Sequence, residues 1–224
     1  MNVEMTKAIL DGRKVQTRRV IKNKDNQILL KNLFNNYDDY SYDSFVNSEA
    51  KYQIGETIWV REPAEIIAYD NETYELCYRY KADDGVNAKS IIIPDRFLSK
   101  LSYPKWITNC QGIPNGCIKE MARIFLKITN VRVERLQDIS EEDCEKEGLY
   151  TLGGCQIADT GDYDDGYWIK EKPYLSDDGM YYANEQFEYA EEAFESLWED
   201  TAPKGYKWED NPYVFVYEFE RVEK

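Results

Sequence analysis

Histidine is absent from all 224 residues. That gap removes the Ser-His-Asp and Cys-His nucleophile systems. Any acid–base chemistry must then use Lys, Glu, Asp, Tyr or Cys, with a pKa moved by burial or by neighbours. The five cysteines, Cys77, Cys110, Cys117, Cys144 and Cys155, are odd in number and irregularly spaced, and no two form a CxxC pair. With no imidazole beside them, no zinc site is expected, and reduced thiols are the default in a cytosolic chain. Neither a G-x-x-x-x-G-K-[ST] nor a G-x-G-x-x-G loop occurs, which argues against a nucleoside triphosphatase or a dinucleotide oxidoreductase. No cofactor and no metal are expected. No apolar run approaches the length of a membrane span, and the first residues lack a secretory apolar core. The expectation is a cytoplasmic protein with no membrane partner.

Negative charge is in excess but unevenly spread. The formal net charge is −15. Residues 1–22 carry six basic and two acidic side chains, whereas residues 138–200 carry twenty acidic and three basic ones. An acidic surface of that size repels a phosphate backbone, so generic duplex DNA is not an expected partner. A local basic pocket for one nucleotide remains compatible with it.

The stretch Met5 to Arg19, MTKAILDGRKVQTRR, carries the most local information. Met5, Ala8 and Ile9 recur at helical spacing, Gly12 falls where a helix stops on a left-handed residue, and Val15 to Val20 reads as a strand. Arg13 and Lys14 are then left at a tight corner, aimed into a cleft or simply solvated as a basic turn.

Further along, Phe34 to Tyr52 is rich in Asn, Asp, Ser and Tyr with no clear period, and reads as a loop or insertion. Its tyrosines could stack on a base or anchor the loop. Thr57 to Glu62 alternates as a strand ended by Pro63, and Tyr74 to Lys81 reads as another before an Asp83-Asp84-Gly85 turn. Ile124 to Thr129 alternates as well, and Val131 and Val133 either continue that strand or begin its hairpin partner. Ser140 is a helix N-cap, with Asp143 three residues on, Ile139 able to staple against Cys144, and Gly148 as the stop. Glu147 lies in that helix's last turn, facing the negative end of its dipole, or else stands exposed and screened. The run at 150–184 is rich in Gly, Asp and Tyr and reads as a second insertion. Taking Gly166 as the EF-hand glycine puts Gly161, Tyr163 and Lys172 at ligand positions, so a solvated acidic loop is the better reading than a calcium site. Glu185 to Asp200 is an amphipathic helix with Phe187, Ala190, Phe194, Leu197 and Trp198 on one face. Tyr213 to Val222 is the strongest strand.

The order of ILDGRKVQTRRV, GETIWVRE, ITNVRVERLQDISEEDCEKEGL, FESLWED and NPYVFVYEFERV resembles the ASCH-domain family, in its phage and prophage branch. The resemblance spans the chain apart from the loops near 34–52 and 150–184. It implies an α+β fold, a PUA-like and mostly antiparallel β-barrel with flanking helices. The expected organisation is one domain over residues 1–224 with insertions at those two places, the barrel partly closed by Tyr213–Val222. Related barrels hold nucleobases or RNA in a cleft, and one branch comprises small amidohydrolases acting on N4-acetylcytidine through a Lys, a Thr and a Glu. Laid on this chain, that match implies Lys14, Thr17 and Glu147 as catalytic residues. Thr17 would be the nucleophile, Lys14 its activator, and Glu147 the group that binds or relays a proton to the leaving amine. Arg13, Arg19, Trp59, Arg61, Arg79 and Arg123 complete the candidate ligand-binding set. Where the phage branch has a Pro-Arg-Trp segment before Arg123, this chain reads Cys117-Ile118-Lys119-Glu120-Met121.

The function so implied is a pocket for a nucleobase, nucleoside or nucleotide, or for a modified base in single-stranded RNA, with amide hydrolysis of an N4-acylated cytidine as its catalytic form. The alternatives are a phage protein that sequesters a nucleotide without turnover, and one that binds a protein through its acidic 138–200 face.

Overall fold

The computed structural model describes residues 2–36, 39–83, 86–98, 105–108, 118–152, 167–177 and 181–223. The chain divides into two compact units, both discontinuous in sequence. The first comprises Met1–Leu10, Thr57–Leu126 and Arg221–Lys224, and the second Asp11–Glu56 and Lys127–Glu220. Elements are numbered along the chain. It opens with α1 (Val3–Leu10), β1 (Gln16–Val20), α2 (Lys24–Asn36) and α3 (Asp39–Glu49). There follow β2 (Thr57–Trp59), β3 (Ala64–Tyr69), β4 (Glu75–Tyr80), β5 (Ala88–Ile92), α4 (Asp95–Leu98) and α5 (Lys105–Thr108). The remainder holds β6 (Phe125–Arg135), α6 (Glu141–Lys146), β7 (Tyr150–Leu152), β8 (Tyr167–Ile169), β9 (Tyr174–Leu175), β10 (Tyr181–Tyr182), α7 (Ala190–Thr201) and β11 (Tyr213–Val222).

The architecture is α+β with antiparallel sheets. In the first unit, β3, β4 and β5 lie side by side. Strict alternation along β4 turns Leu76, Tyr78 and Tyr80 inward, where they pack with Ala64, Ile66, Ile93, Ile107 and Met121. In the second unit, β11 lies between β1 and β6, with Gln16 opposite Glu218 and Val20 opposite Val214. Five consecutive residues of β11, Tyr213 to Tyr217, are buried, as expected of a strand covered on both faces. These strand orders are open runs, and no closed ring of strands occurs among the described residues. None of the described helices is long and apolar enough to cross a membrane.

Several sequence expectations need correction. Residues 34–52 do not form a loop, since α2 runs to Asn36 and Asp39–Glu49 is helical. Tyr42, Phe45, Val46 and Ala50 do recur at helical spacing, and the last three are buried, but the dense polar residues between them hide that period. Tyr42 anchors the helix, its hydroxyl accepting the Val133 N–H at 2.8 Å. The β2 strand stops at Trp59, and a separate strand begins after Pro63. The run near 150–184 contains two short strand pairs, β7 with β8 and β9 with β10. Gly166, aligned with the EF-hand glycine, and Gly161 and Tyr163, aligned with two of its ligand positions, lie outside the described residues. The expected 185–200 helix starts only at Ala190, because the Phe187 backbone is already committed to a two-way bridge with Trp168 at 2.8 and 3.0 Å. Val131 and Val133 continue β6 rather than beginning a hairpin.

Candidate functional site

The corner that follows α1 is built on Gly12, whose φ of +78° is a left-handed conformation that costs an L-residue a Cβ clash. In the second unit, the residues after it dock onto the C-terminal end of α6. A helix leaves its last carbonyls without intrahelical donors. Here the Val15 N–H reaches the Lys146 carbonyl at 2.9 Å, Lys14 Nζ the Glu147 carbonyl at 2.9 Å, and Arg13 Nη1 the Gly148 carbonyl at 2.5 Å. Gln16 Nε2 adds a bond to the Asp143 carbonyl at 2.9 Å. Two cations at a helix C-terminus also suit its dipole. The other end of α6 is capped as the sequence expects, Ser140 Oγ accepting the Asp143 N–H at 3.2 Å. Gly148 ends it at φ +100°.

On this dock sits a continuous ion-pair network. Lys14 Nζ lies 2.5 Å from Glu147 Oε2, and Arg18 Nη1 lies 3.1 Å from Glu147 Oε1. Arg18 also bonds Glu134 Oε1 through Nε at 3.0 Å and Asp143 Oδ2 through Nη2 at 2.8 Å. Arg132 shares both acids, at 3.1 Å to Glu134 and 2.5 Å to Asp143, and its Nη1 pairs with Glu218. Lys14 and Glu147 are each 4% exposed, and Arg18 is also buried. Glu147 is therefore not the exposed, screened carboxylate that its helix position also allowed.

Burial pushes the Lys14 ammonium below its ordinary pKa, and the attraction of Glu147 only partly offsets that. Arg18 moves the other way, raised by its three carboxylates against the cost of burial. The Cys144 thiol is pushed up to about 12, chiefly by burial, so it is inert at neutral pH. Two buried atoms at the corner lack partners, Gln16 Oε1 and Arg13 Nε. The Arg13 guanidinium is nonetheless held, lying 3.5 Å over the Tyr150 ring.

Successive side chains of a strand point to opposite faces. Gln16 and Arg18 take the α6 face of β1, so Thr17 and Arg19 take the other, with Thr17 opposite Tyr217 and Arg19 opposite Phe215. The structure thus brings Lys14, Glu147 and Arg13 together and turns Thr17 and Arg19 away from them. On their side lies a cavity of about 500 Å³, its wall including Arg19, Lys22, Lys51, Tyr52, Phe215 and Tyr217.

The remaining candidates, Trp59, Arg61, Arg79 and Arg123, belong to the first unit. Arg61 is exposed, 5.5 Å from the Trp59 ring. Arg79 is on the outward face of β4 and pairs with Glu65 at 2.6 Å. Arg123 clamps Glu62 at 2.5 and 2.9 Å and Asp83 at 2.6 and 3.0 Å, its guanidinium 4.0 Å over the Tyr80 ring. These three carry structural contacts of their own within that unit.

Sequence reasoning missed Arg18, Arg132, Glu134 and Asp143 as members of the network, and Lys22, Lys51 and Tyr52 as members of the cavity wall. Alternation along β1 alone would have grouped Arg18 with Gln16. Chemically the Lys14–Glu147–Arg18 centre of the network is a buried, mutually paired lock, whereas the cavity presents cations and the half-buried Tyr52 ring to solvent. Comparison of the chain with protein-family models, with curated proteins and with solved structures gives no match.

Proposed function

We propose that this chain is an ASCH-like pocket protein that recognises a nucleobase, nucleoside or nucleotide, and that it captures its ligand rather than turning it over. One observation carries the reading. The GRKVQTRR corner and the DISEEDCEKEG helix, which lie in two of the segments that carry the resemblance, meet through Lys14 and Glu147 at 2.5 Å across 133 residues of chain. Capture rather than hydrolysis is supported by Thr17, which faces away from that pair on β1. A nucleophile and its activator need hydrogen-bonding reach of one another. The PUA-like barrel and a place in the cytoplasm of a bacterial host, encoded by a phage or prophage, belong to the same proposal, as does a modified base in single-stranded RNA as ligand.

The hydrolase is the second reading, favoured by an amine of lowered pKa beside a carboxylate. The acidic-face reading is weakened by Asp143 and Glu147, which turn inward into ion pairs.

Two measurements separate the readings. Mass spectrometry of small molecules released on denaturing the purified protein should find a nucleobase-containing compound. Incubation with N4-acetylcytidine should release no acetate. Acetate release abolished by Thr17→Val would establish the hydrolase instead. Neither capture nor turnover would overturn both.

A further inference from the structure

We propose that the cavity on the Thr17–Arg19 side of β1 is a site for a nucleoside monophosphate, with phosphate held by Arg19, Lys22 and Lys51 and the base against Tyr52. The assignment rests on the reading above, that the protein captures a nucleotide-type ligand, and gives it a place and a required charge.

The cavity's volume of about 500 Å³ falls within the usual range for small-molecule sites, about 300–1,000 Å³. Its charge is unusual for this chain. Three cations line it against one carboxylate, Glu49, in a protein of net charge −15. That carboxylate accepts from Asn26 Nδ2 at 2.7 Å and keeps its charge, which leaves the lining with an excess of two cations. Among the described residues no acidic side chain pairs with Arg19, Lys22 or Lys51, whereas Arg13, Arg18 and Arg132 of the second unit are so paired. Arg19, Lys22 and Lys51 are all exposed, so their charge is presented to solvent rather than consumed inside the fold. A guanidinium fork matches the oxygens of a phosphate, and ammonium groups bind phosphate as point charges.

The aromatic part of the wall is fixed in place. Tyr217 and Phe215 are buried on β11, and the Tyr217 hydroxyl accepts the Lys51 N–H at 3.0 Å, tying the cationic segment to the strand. Tyr52 packs edge-on against Tyr217 at 5.4 Å and is only half-buried, and the Lys51 ammonium stands 5.0 Å from its ring centre, so a base stacking there displaces that ammonium toward the phosphate. Bases stack on such rings with little regard to identity. Asn23 and Asn26, also in the wall, carry amides that can meet a base edge as donor or acceptor. A ring with polar edges and a phosphate is the ligand class that uses all three features.

Titration calorimetry of the full chain with AMP, GMP, CMP and UMP tests the assignment, with cytidine and inorganic phosphate as partial probes. At least one monophosphate should bind, tenfold or more tightly than cytidine or phosphate alone, and more weakly as salt rises. Arg19→Gln and Lys51→Gln should each weaken it tenfold or more with unchanged thermal melting, because both side chains are exposed. Tyr52→Leu should weaken the monophosphate without changing its preference over the nucleoside. Binding untouched by Arg19→Gln and Lys51→Gln would overturn the cavity while leaving nucleotide capture standing. Cytidine binding as tightly as CMP would overturn the phosphate site. No monophosphate binding at millimolar concentration would overturn the whole assignment, and the released-compound measurement would then decide the broader reading separately.

Discussion

Lys14 Nζ donates to both the backbone carbonyl and the carboxylate of Glu147, at 2.9 and 2.5 Å, so one side chain caps α6 and neutralises its last acidic residue. The pair is dry, and its worth is set by what a broken half would leave behind. Lys14→Met removes a cation from a buried carboxylate and should cost about 3 kcal/mol. Lys14→Met combined with Glu147→Leu should cost less than the two singles together, because neither charge is then stranded. Urea denaturation of the four proteins checks this, and strict additivity would show that the two groups do not interact. Neither residue lies on an apolar stripe, yet changing either one alone should cost stability because the pair is buried.

The same burial sets a pH dependence. Lys14 has a folded-state pKa below the 10.5 of the unfolded chain, so between those values the unfolded state binds more protons. Stability from this group therefore rises as pH climbs toward 10.5, as the penalty of burying the ammonium is relieved. Tyr42 and Tyr217 oppose it, since burial raises both phenols above 10.0 and their contribution is lost as pH rises past that value. Comparing wild type with Lys14→Met cancels the tyrosines. The stability difference, wild type minus variant, should increase with alkaline pH, and a decrease would contradict the assignment.

Arg123 offers a test in the first unit. Glu62 is 1% exposed and receives two of the arginine's bonds. Arg123→Met should destabilise by about 3–5 kcal/mol by leaving that carboxylate buried and unpaired. Glu62→Gln in the same background should recover part of the loss. Thermal or urea unfolding reads both.

Ser140→Ala should cost about 1 kcal/mol, through loss of the bond to the Asp143 N–H. Asp143 also holds Arg18 and Arg132, so a larger loss would mean that the cap positions the network as well as the helix.

Generic duplex DNA should bind more weakly than about 1 μM at physiological salt, as the chain's net charge of −15 opposes the backbone. Fluorescence anisotropy with a random-sequence duplex checks this, and tighter binding would contradict it.

Much of the local structure was legible because its causes are local. The Gly12 stop, the β1 strand, the Ser140 cap and the β11 strand follow from neighbours within a few residues. The α3 helix was not, because its apolar positions are separated by Asn, Asp and Ser that individually favour turns. Lys14 and Glu147 stood out separately, one at a corner and one at a helix end. What joins Arg18 to Glu134 and Asp143 is the adjacency of strands and helix distant in sequence, which no window of residues contains. The cavity was illegible for the same reason, since its wall is gathered from β1, the end of α3 and β11.

The central position of β11 sets a timetable for the nascent chain. β1 has its ladder partner only in the last strand, Gln16 meeting Glu218, so it emerges from the ribosome long before it can pair. At about 5–20 residues per second that wait is roughly 10–40 s. For all of it an extended, β-prone segment is exposed to other chains. Its sequence, QTRRV, carries two adjacent arginines, whose mutual repulsion between copies opposes intermolecular pairing. Arg18, which enters the buried network, and Arg19, which lines the cavity, are thus the two charges that oppose pairing between unfinished copies.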